Sequence, residues 1–471
     1  MNQAPKPSHC LLISTLAEYQ SSFWLLVGLE LERRNLHCEF LSFDDRSTEA
    51  LRGAGFKVYA YSEQAAVSDE MALLRDFDAG PLEALFLHER VAFNEQRHQH
   101  LQAKLCRSIS LADRAIADCQ KRFDSVDVIQ EVGGFLSVIG CHLAAQRRRV
   151  PNWFIEPAFF KGRLFFTRDS FAAPKVPDVP AEDHQRLQVL KYVSSARQQQ
   201  TIVIPEKDRH HYNSAVTKVS NKRNVIRLVE KVRDKYLLGK YQEFGYVGHH
   251  VVTHLRMLRN SVCLKFRYTL LEQLGAFVYF PLHVPGDMAL TLRSPEYLDQ
   301  LTLIEQLIRA TPASFDVAVK EHPAMIGACD GERLIQLSRR YPQLKILPPT
   351  TNNYEVIKAS RLVVSINSKS GVEALLLEKP VIVLGDAFYT SCPLVRQASG
   401  HAVLKDAILS LLNSYRAPPD EQLVDYLCRV WQACSIGELY VTEAGKIHEF
   451  CDSLIERTAP TDAINRSKLL S

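Results

Sequence analysis

The 471-residue chain has no pair of cysteines at a two-residue spacing, and its eleven cysteines are scattered and odd in number. That argues against a zinc site of ordinary spacing and against a disulfide framework, and it fits free thiols in a reducing cytosol. No apolar stretch approaches the eighteen or so residues that a membrane helix needs. The start, MNQAPKPSHCLLIST, lacks a charged region followed by an apolar one, so no signal peptide is read there. No internal repeat is visible. No Asp-x-Asp pair stands at a convincing strand end, so no metal is expected. A net charge of +4 is too small to argue for nucleic acid. These absences lead to a cytoplasmic protein, with a peripheral seat on the inner membrane left open.

What is present is ordinary for a globular α/β protein: 46% apolar and 23% charged residues. The length exceeds what one core sustains, so two domains are the default. His9 to Ser14, Cys38 to Phe43 and Lys57 to Tyr61 read as strands, with helical patterns between them, which indicates a parallel, doubly wound sheet. A mostly helical stretch follows from about Ala65 to Arg122. Strands resume at Val126 to Gln130 and at Pro151 to Ile155, ending in Glu131 and Glu156. Both carboxylates are expected at strand ends facing a cleft, as candidate catalytic groups. Either one also reads as a surface acid capping the next helix. Val132-Gly133-Gly134 after Glu131 predicts an open turn that lets a ligand approach. Pro157 and two phenylalanines predict a stiffer, more apolar setting for Glu156.

Residues 181–270 break the α/β rhythm. They are helical in pattern and carry 17 Lys and Arg against 7 Asp and Glu. Such a charge excess is ordinarily a solvated face; the functional alternative is contact with an anionic membrane surface. The divisions expected are an N-terminal Rossmann-like domain (1–180), the basic helical segment (181–270), a second Rossmann-like domain (271–415), and C-terminal helices (416–471) that can cross back to the first.

Most chemical information lies from Val317 to Tyr389. VAVKEHPAM is an apolar run ending in Lys320, Glu321, His322 and Pro323. RLVVSINSKSGVEALLLEKPVIVLGDAFY is a second run that enters a polar loop with Asn367, Ser368 and Ser370, then Gly371 and a helix start with Glu373. Strand, polar loop, helix, strand is a βαβ unit whose ligands gather at the carboxyl ends of its strands. Hydroxyls and backbone N–H groups at a helix start can seat a phosphate, although Ser and Asn there also serve as plain caps. The stretch FVYFPLHVPGDMAL adds His283 and Asp287 at a further strand end.

The segments FVYFPLHVPGD, VAVKEHP and SINSKSGVEALLLEKPVIVLGDAFY, in this order and spacing, resemble the capsule polysaccharide biosynthesis and export family. That family includes β-Kdo transferases of the GT-B type (Kdo is 3-deoxy-D-manno-oct-2-ulosonic acid). NWFIEPAFFKGRLFF extends the likeness weakly. His283 stands where the family has Gln, Glu156-Pro157 where it has Glu-Gly, and the basic segment has no counterpart. The resemblance implies two Rossmann-like domains facing a cleft, with a CMP-activated sugar held by the second and a glycan or lipid-linked acceptor by the first. Lys320, His322, Pro323, Ser368, Ser370, Gly371 and Glu373 would then bind the nucleotide, His283, Asp287 and Asn367 would line the cleft, and no cofactor would be needed. It further implies glycosyl transfer with retention, which makes the cleft carboxylate a nucleophile; in an inverting reaction the same group would be the general base. Of the two candidates, Glu131 in its open glycine turn is the expected one and Glu156 the supporting one. Transfer from another cytidylate donor (CMP-sialic or pseudaminic acid, or CDP-glycerol) and a non-enzymatic export adaptor are the alternatives.

Overall fold

The computed structural model describes residues 9–179, 182–200 and 229–458. Its first sheet has seven strands in the order β13-β6-β5-β4-β1-β2-β3. Five of them are paired in parallel: β1 (His9–Thr15), β2 (His37–Ser42), β3 (Val58–Ala60), β4 (Ser125–Glu131) and β5 (Asn152–Pro157). Every residue of β1 is buried, as expected for a strand covered by helices on both faces. The chain leaves β1 towards β2 on one side and later returns as β4 on the other. The crevice between the carboxyl ends of β1 and β4 is therefore a topological switch point, where α/β sheets collect ligands.

The second sheet has six strands in the order β12-β11-β10-β7-β8-β9, and every pair is parallel. These are β7 (Phe277–Pro281), β8 (Asp316–Lys320), β9 (Leu344–Leu347), β10 (Leu362–Ser365), β11 (Val381–Val383) and β12 (Val395–Gln397). Its switch point lies between β7 and β10. Two Rossmann-like domains thus face each other across a cleft, the GT-B arrangement.

Two antiparallel strands close the edge of the first sheet: β6 (Arg163–Arg168) and β13 (Cys434–Ile436). The second of these comes from the far end of the chain. Beyond it the helix Ala444–Thr458 lies on the helix Glu18–Arg33, with Phe450 against Phe23 and Trp24 at ring separations of 5.0 and 5.9 Å.

The basic segment contributes the helices Asp183–Gln199 and Val247–Lys265; residues 201–228 lie outside the described part. One buried cation joins the segment to the first domain. Lys104 is held between Glu89 and Glu243 at 2.8 and 2.9 Å, and Tyr246 donates to Glu89. Among the described residues no helix is long and apolar enough to cross a membrane.

Candidate active site

A cavity of about 520 Å³ opens between the domains. Its floor is built from the carboxyl ends of β7, β8 and β10, around the switch point of the second sheet. Its roof carries Glu156, Pro157 and Phe165 from the first.

The β8 edge supplies three polar groups. Lys320 is 3% exposed, and its Nζ donates to the Thr351 carbonyl at 3.2 Å. Burial pushes this ammonium down to about 8, with Glu373 opposing the shift. Glu321 faces the same penalty in the opposite sense. Burial raises its carboxyl to about 7, although the N–H groups of Gly327 and Cys329 donate to it at 3.1–3.4 Å. His322 caps the turn Pro323–Met325, its Nδ1 accepting from the N–H of Ala324 at 3.3 Å. That bond leaves the neutral ring's proton on Nε2.

The β10 edge supplies the polar loop. Ser370 and Ser368 place their hydroxyl oxygens 3.3 Å apart. Asn367 donates from Nδ2 to the Ala289 carbonyl at 2.6 Å and to Ser294 Oγ at 3.1 Å. Here one expectation is corrected. The backbone N–H groups ahead of the helix are not held out for a phosphate. Ser368 N donates to Ser365 Oγ, Ser370 N to Ser368 Oγ and Gly371 N to the Ser368 carbonyl, at 3.0–3.2 Å. The serines of the loop cap its own backbone, so an anion here meets side chains. Gly371 is set back from the cavity; a Cβ on it would run into the Tyr389 hydroxyl, so the glycine serves packing.

Glu373 is buried and accepts from Asn353 Nδ2 at 2.6 Å, and desolvation raises its pKa. The same Asn353 amide donates to Ser370 Oγ, and its carbonyl accepts from the Tyr279 hydroxyl. His283 is locked by its main chain, which exchanges two bonds with Gln300 at 2.7 and 3.1 Å. Burial takes its ring down to about 4, so it stays neutral, and its Nε2 accepts from Asn367 N. Asp287 caps the short turn Met288–Thr291. Both line the cavity.

The two candidate carboxylates are placed differently. Glu156 lines the cavity, and the expected apolar setting is corrected by a cation. Arg293, from the opposite domain, grips it bidentately at 3.0 and 2.6 Å and also donates to the Phe171 carbonyl. Glu131 is not among the cavity-lining residues. It stands at the β1–β4 crevice, where it accepts from the Tyr440 hydroxyl and from Gln20 Nε2 (3.3 Å). Burial and the Glu131 charge hold the Tyr440 phenol well above its ordinary range, so it remains a donor. The glycine turn after Glu131 also has a packing cause: a Cβ at Gly134 would collide with the ring of His88.

Three contacts across the cleft escaped sequence reasoning. Arg293 gives no local signal, because its role exists only opposite Glu156. Asp386 accepts from the N–H of Ala173 at 2.7 Å, and Lys369 donates to the Ala158 carbonyl at 2.8 Å. Both of these lie inside the quoted motifs, LGDAFY and SINSKSG, and their charge was the available signal. Among the described residues one trio has the reach of metal ligands: Cys10, Glu39 and Cys119. It is not part of the cavity, and Glu39 is already paired with Arg122.

Residues 187–417 match the family model described as capsule polysaccharide biosynthesis protein. The match covers just under half of the chain. The FixF protein of Sinorhizobium fredii is 32% identical over 169 residues, which is 36% of this chain and 40% of that relative. The chain therefore spans well under half the length of that curated relative. Two solved structures of Thermosulfurimonas dismutans KpsC are loosely similar in shape. Its β-Kdo 2,4 transferase is 13% identical over 71% of this chain and 88% of its own, with a TM-score of 0.37. Its β-Kdo 2,7 transferase is 14% identical over 72% and 88%, with a TM-score of 0.33. The capsule-synthesis segment carries the entire second-domain wall of the cavity, Tyr279 to Phe388, whereas Glu156, Pro157, Phe165 and Pro174 precede it.

Proposed function

We propose that the protein is a glycosyltransferase that moves Kdo, or a related 2-keto sugar acid, from a CMP-activated donor to a surface-glycan or lipid-linked acceptor. The observation that carries the reading is the convergence of Lys320, His322, Ser368 and Ser370 on one cavity at the switch point of the second sheet. In this reading the Lys320 ammonium and the Nε2–H of His322 take up charge as the cytidylate departs. Such groups, fixed before reaction in a site of low polarity, favour the transition state over the ground state. Ser368 and Ser370 hydroxyls meet the remaining phosphate oxygens, and Glu373 accepts from the ribose.

The oxocarbenium-like centre needs a carboxylate. We assign it to Glu131, which stands outside the cavity lining at the β1–β4 crevice and would act as the nucleophile in a retaining reaction only where the sugar reaches from the cavity to that crevice. Glu156 is assigned to position Arg293 at the donor. The proposed reaction uses no cofactor, and it takes place at the cytoplasmic face of the inner membrane, where lipid-linked acceptors are.

The test is a donor panel. Purified protein is mixed with CMP-Kdo, CMP-sialic acid, CMP-pseudaminic acid, CDP-glycerol and UDP-sugars, and nucleotide release is followed. Release from CMP-Kdo supports the reading. Release from another cytidylate donor alone moves the donor assignment, and no release from any donor with acceptor present favours an export adaptor.

A further inference from the structure

The helix Val247–Lys265 bridges the two domains. At its start His249 contacts the Ala92 carbonyl of the first domain at 3.0 Å. On its inner face Met257, Asn260 and Leu264 are buried, and Asn260 donates to the carbonyls of Gly327 and Cys329 at 3.0 and 2.9 Å. Those carbonyls belong to the loop that follows His322. The helix is thus fixed to the rim of the cavity.

Its outer face is apolar too. Val251, Leu255, Val262 and Phe266 are 41%, 62%, 54% and 83% exposed. At about 100° per residue these four fall within about 60° of one another, one continuous stripe. Arg256, Arg259 and Arg267 flank it on one side and Lys265 on the other. Arg259 shares its charge with Glu332 at 3.2 Å. Between Glu243 and Glu272 the sequence contains no Asp or Glu at all. A helix that is apolar on both faces requires a cover on the second.

Charge decides which cover. A second copy would set the same cations against each other. The 201–228 stretch of this chain is also cationic, with six Lys and Arg against two Asp and Glu. An apolar stripe between basic flanks on a helix lying flat matches the headgroup region of an anionic bilayer. We propose that this helix is the membrane-contact surface of the protein, with Val251, Leu255, Val262 and Phe266 seated among the acyl chains of anionic lipid and the basic flanks on the headgroups. It would hold the cavity rim at the height of a lipid-linked sugar. The proposal stands whether or not the donor is CMP-Kdo.

Cys263 lies on the arginine flank beside this stripe and is the exposed one of the eleven cysteines, which makes it a native probe. Full-length protein should react with a maleimide fluorophore at Cys263 and should co-sediment with phosphatidylglycerol vesicles at low salt, with a blue shift of the label. Phosphatidylcholine vesicles should capture far less. Leu255→Ser/Val262→Ser/Phe266→Ser should abolish capture while unfolding at the wild-type temperature. Arg256→Gln/Lys265→Gln/Arg267→Gln should weaken it about a hundredfold, at roughly fivefold per charge. Several results would overturn the proposal. They are an unreactive Cys263 in the native protein, no capture of wild type, undiminished capture of the folded triple-serine variant, or a wild-type dimer that the serines dissociate.

Discussion

Arg293 holds Glu156 from across the cleft in a two-bond ion pair, at 3.0 and 2.6 Å, with both side chains largely buried. The two residues come from different domains, 137 positions apart in sequence. The pair therefore does two things at once. It ties the two walls of the cavity together, and it occupies a carboxylate that lines that cavity.

Breaking this pair on one side leaves an uncompensated charge in a dry place. Arg293→Met should lower stability by roughly 3–5 kcal/mol in urea unfolding, whereas replacing both partners with apolar groups should recover most of the loss. A single variant as stable as wild type would show that the pair is open to water in solution.

The two carboxylates should separate kinetically. Glu131→Gln is expected to abolish transfer while the protein still binds CMP. Glu156→Gln should leave measurable turnover, because it acts through Arg293. Steady-state rates and CMP titration of both variants check this. Turnover in Glu131→Gln with none in Glu156→Gln would reverse the roles.

Lys320 predicts a pH dependence of nucleotide binding. Its ammonium is already lowered to about 8 by burial, and an anionic phosphate beside it would raise that value again. Binding is then strongest below pH 8, where the lysine is charged, and weakens as pH rises through 8. CMP affinity should fall roughly tenfold between pH 7 and pH 9.5 by calorimetry. Lys320→Met should bind weakly and equally at both. A flat wild-type profile would remove Lys320 from the phosphate site.

Glu321 predicts a pH dependence of stability with the sign of a raised carboxyl. Its folded value of about 7 exceeds the ordinary one, so the folded state favours the protonated form. That contribution is complete below pH 4.5 and is lost as pH rises to about 7, on the order of 3 kcal/mol in all. Gln at this position keeps an acceptor for Gly327 and Cys329 but cannot ionise. Glu321→Gln should match wild type at pH 4.5 and exceed it in stability at pH 8. An unchanged difference between the two pH values would contradict the account.

Much of this arrangement was legible in the sequence where a residue's role is local. Periodicity placed β1, β2, β4 and β5 within a residue or two, and the strand-end loops carrying His322 and Ser368 do meet in one cavity. Other features depend on distant partners and had no local signature. β13 is three residues long and becomes a strand only by pairing with β6, some 270 positions earlier. The satisfied N–H groups of the Ser368 loop follow from which way the Ser365 and Ser368 hydroxyls turn. Glu131 is screened by Tyr440, a residue that reaches the β1–β4 crevice only because the chain crosses back.

The most direct test of the central claim is nucleotide preference in binding. At a hundred times its dissociation constant, CMP should stabilise the protein by about 2.7 kcal/mol, read as a rise in unfolding temperature, with UDP and ADP giving little. His322→Ala and Lys320→Met should blunt the CMP response. Equal shifts from CMP and UDP in the wild-type protein would contradict a cytidylate site.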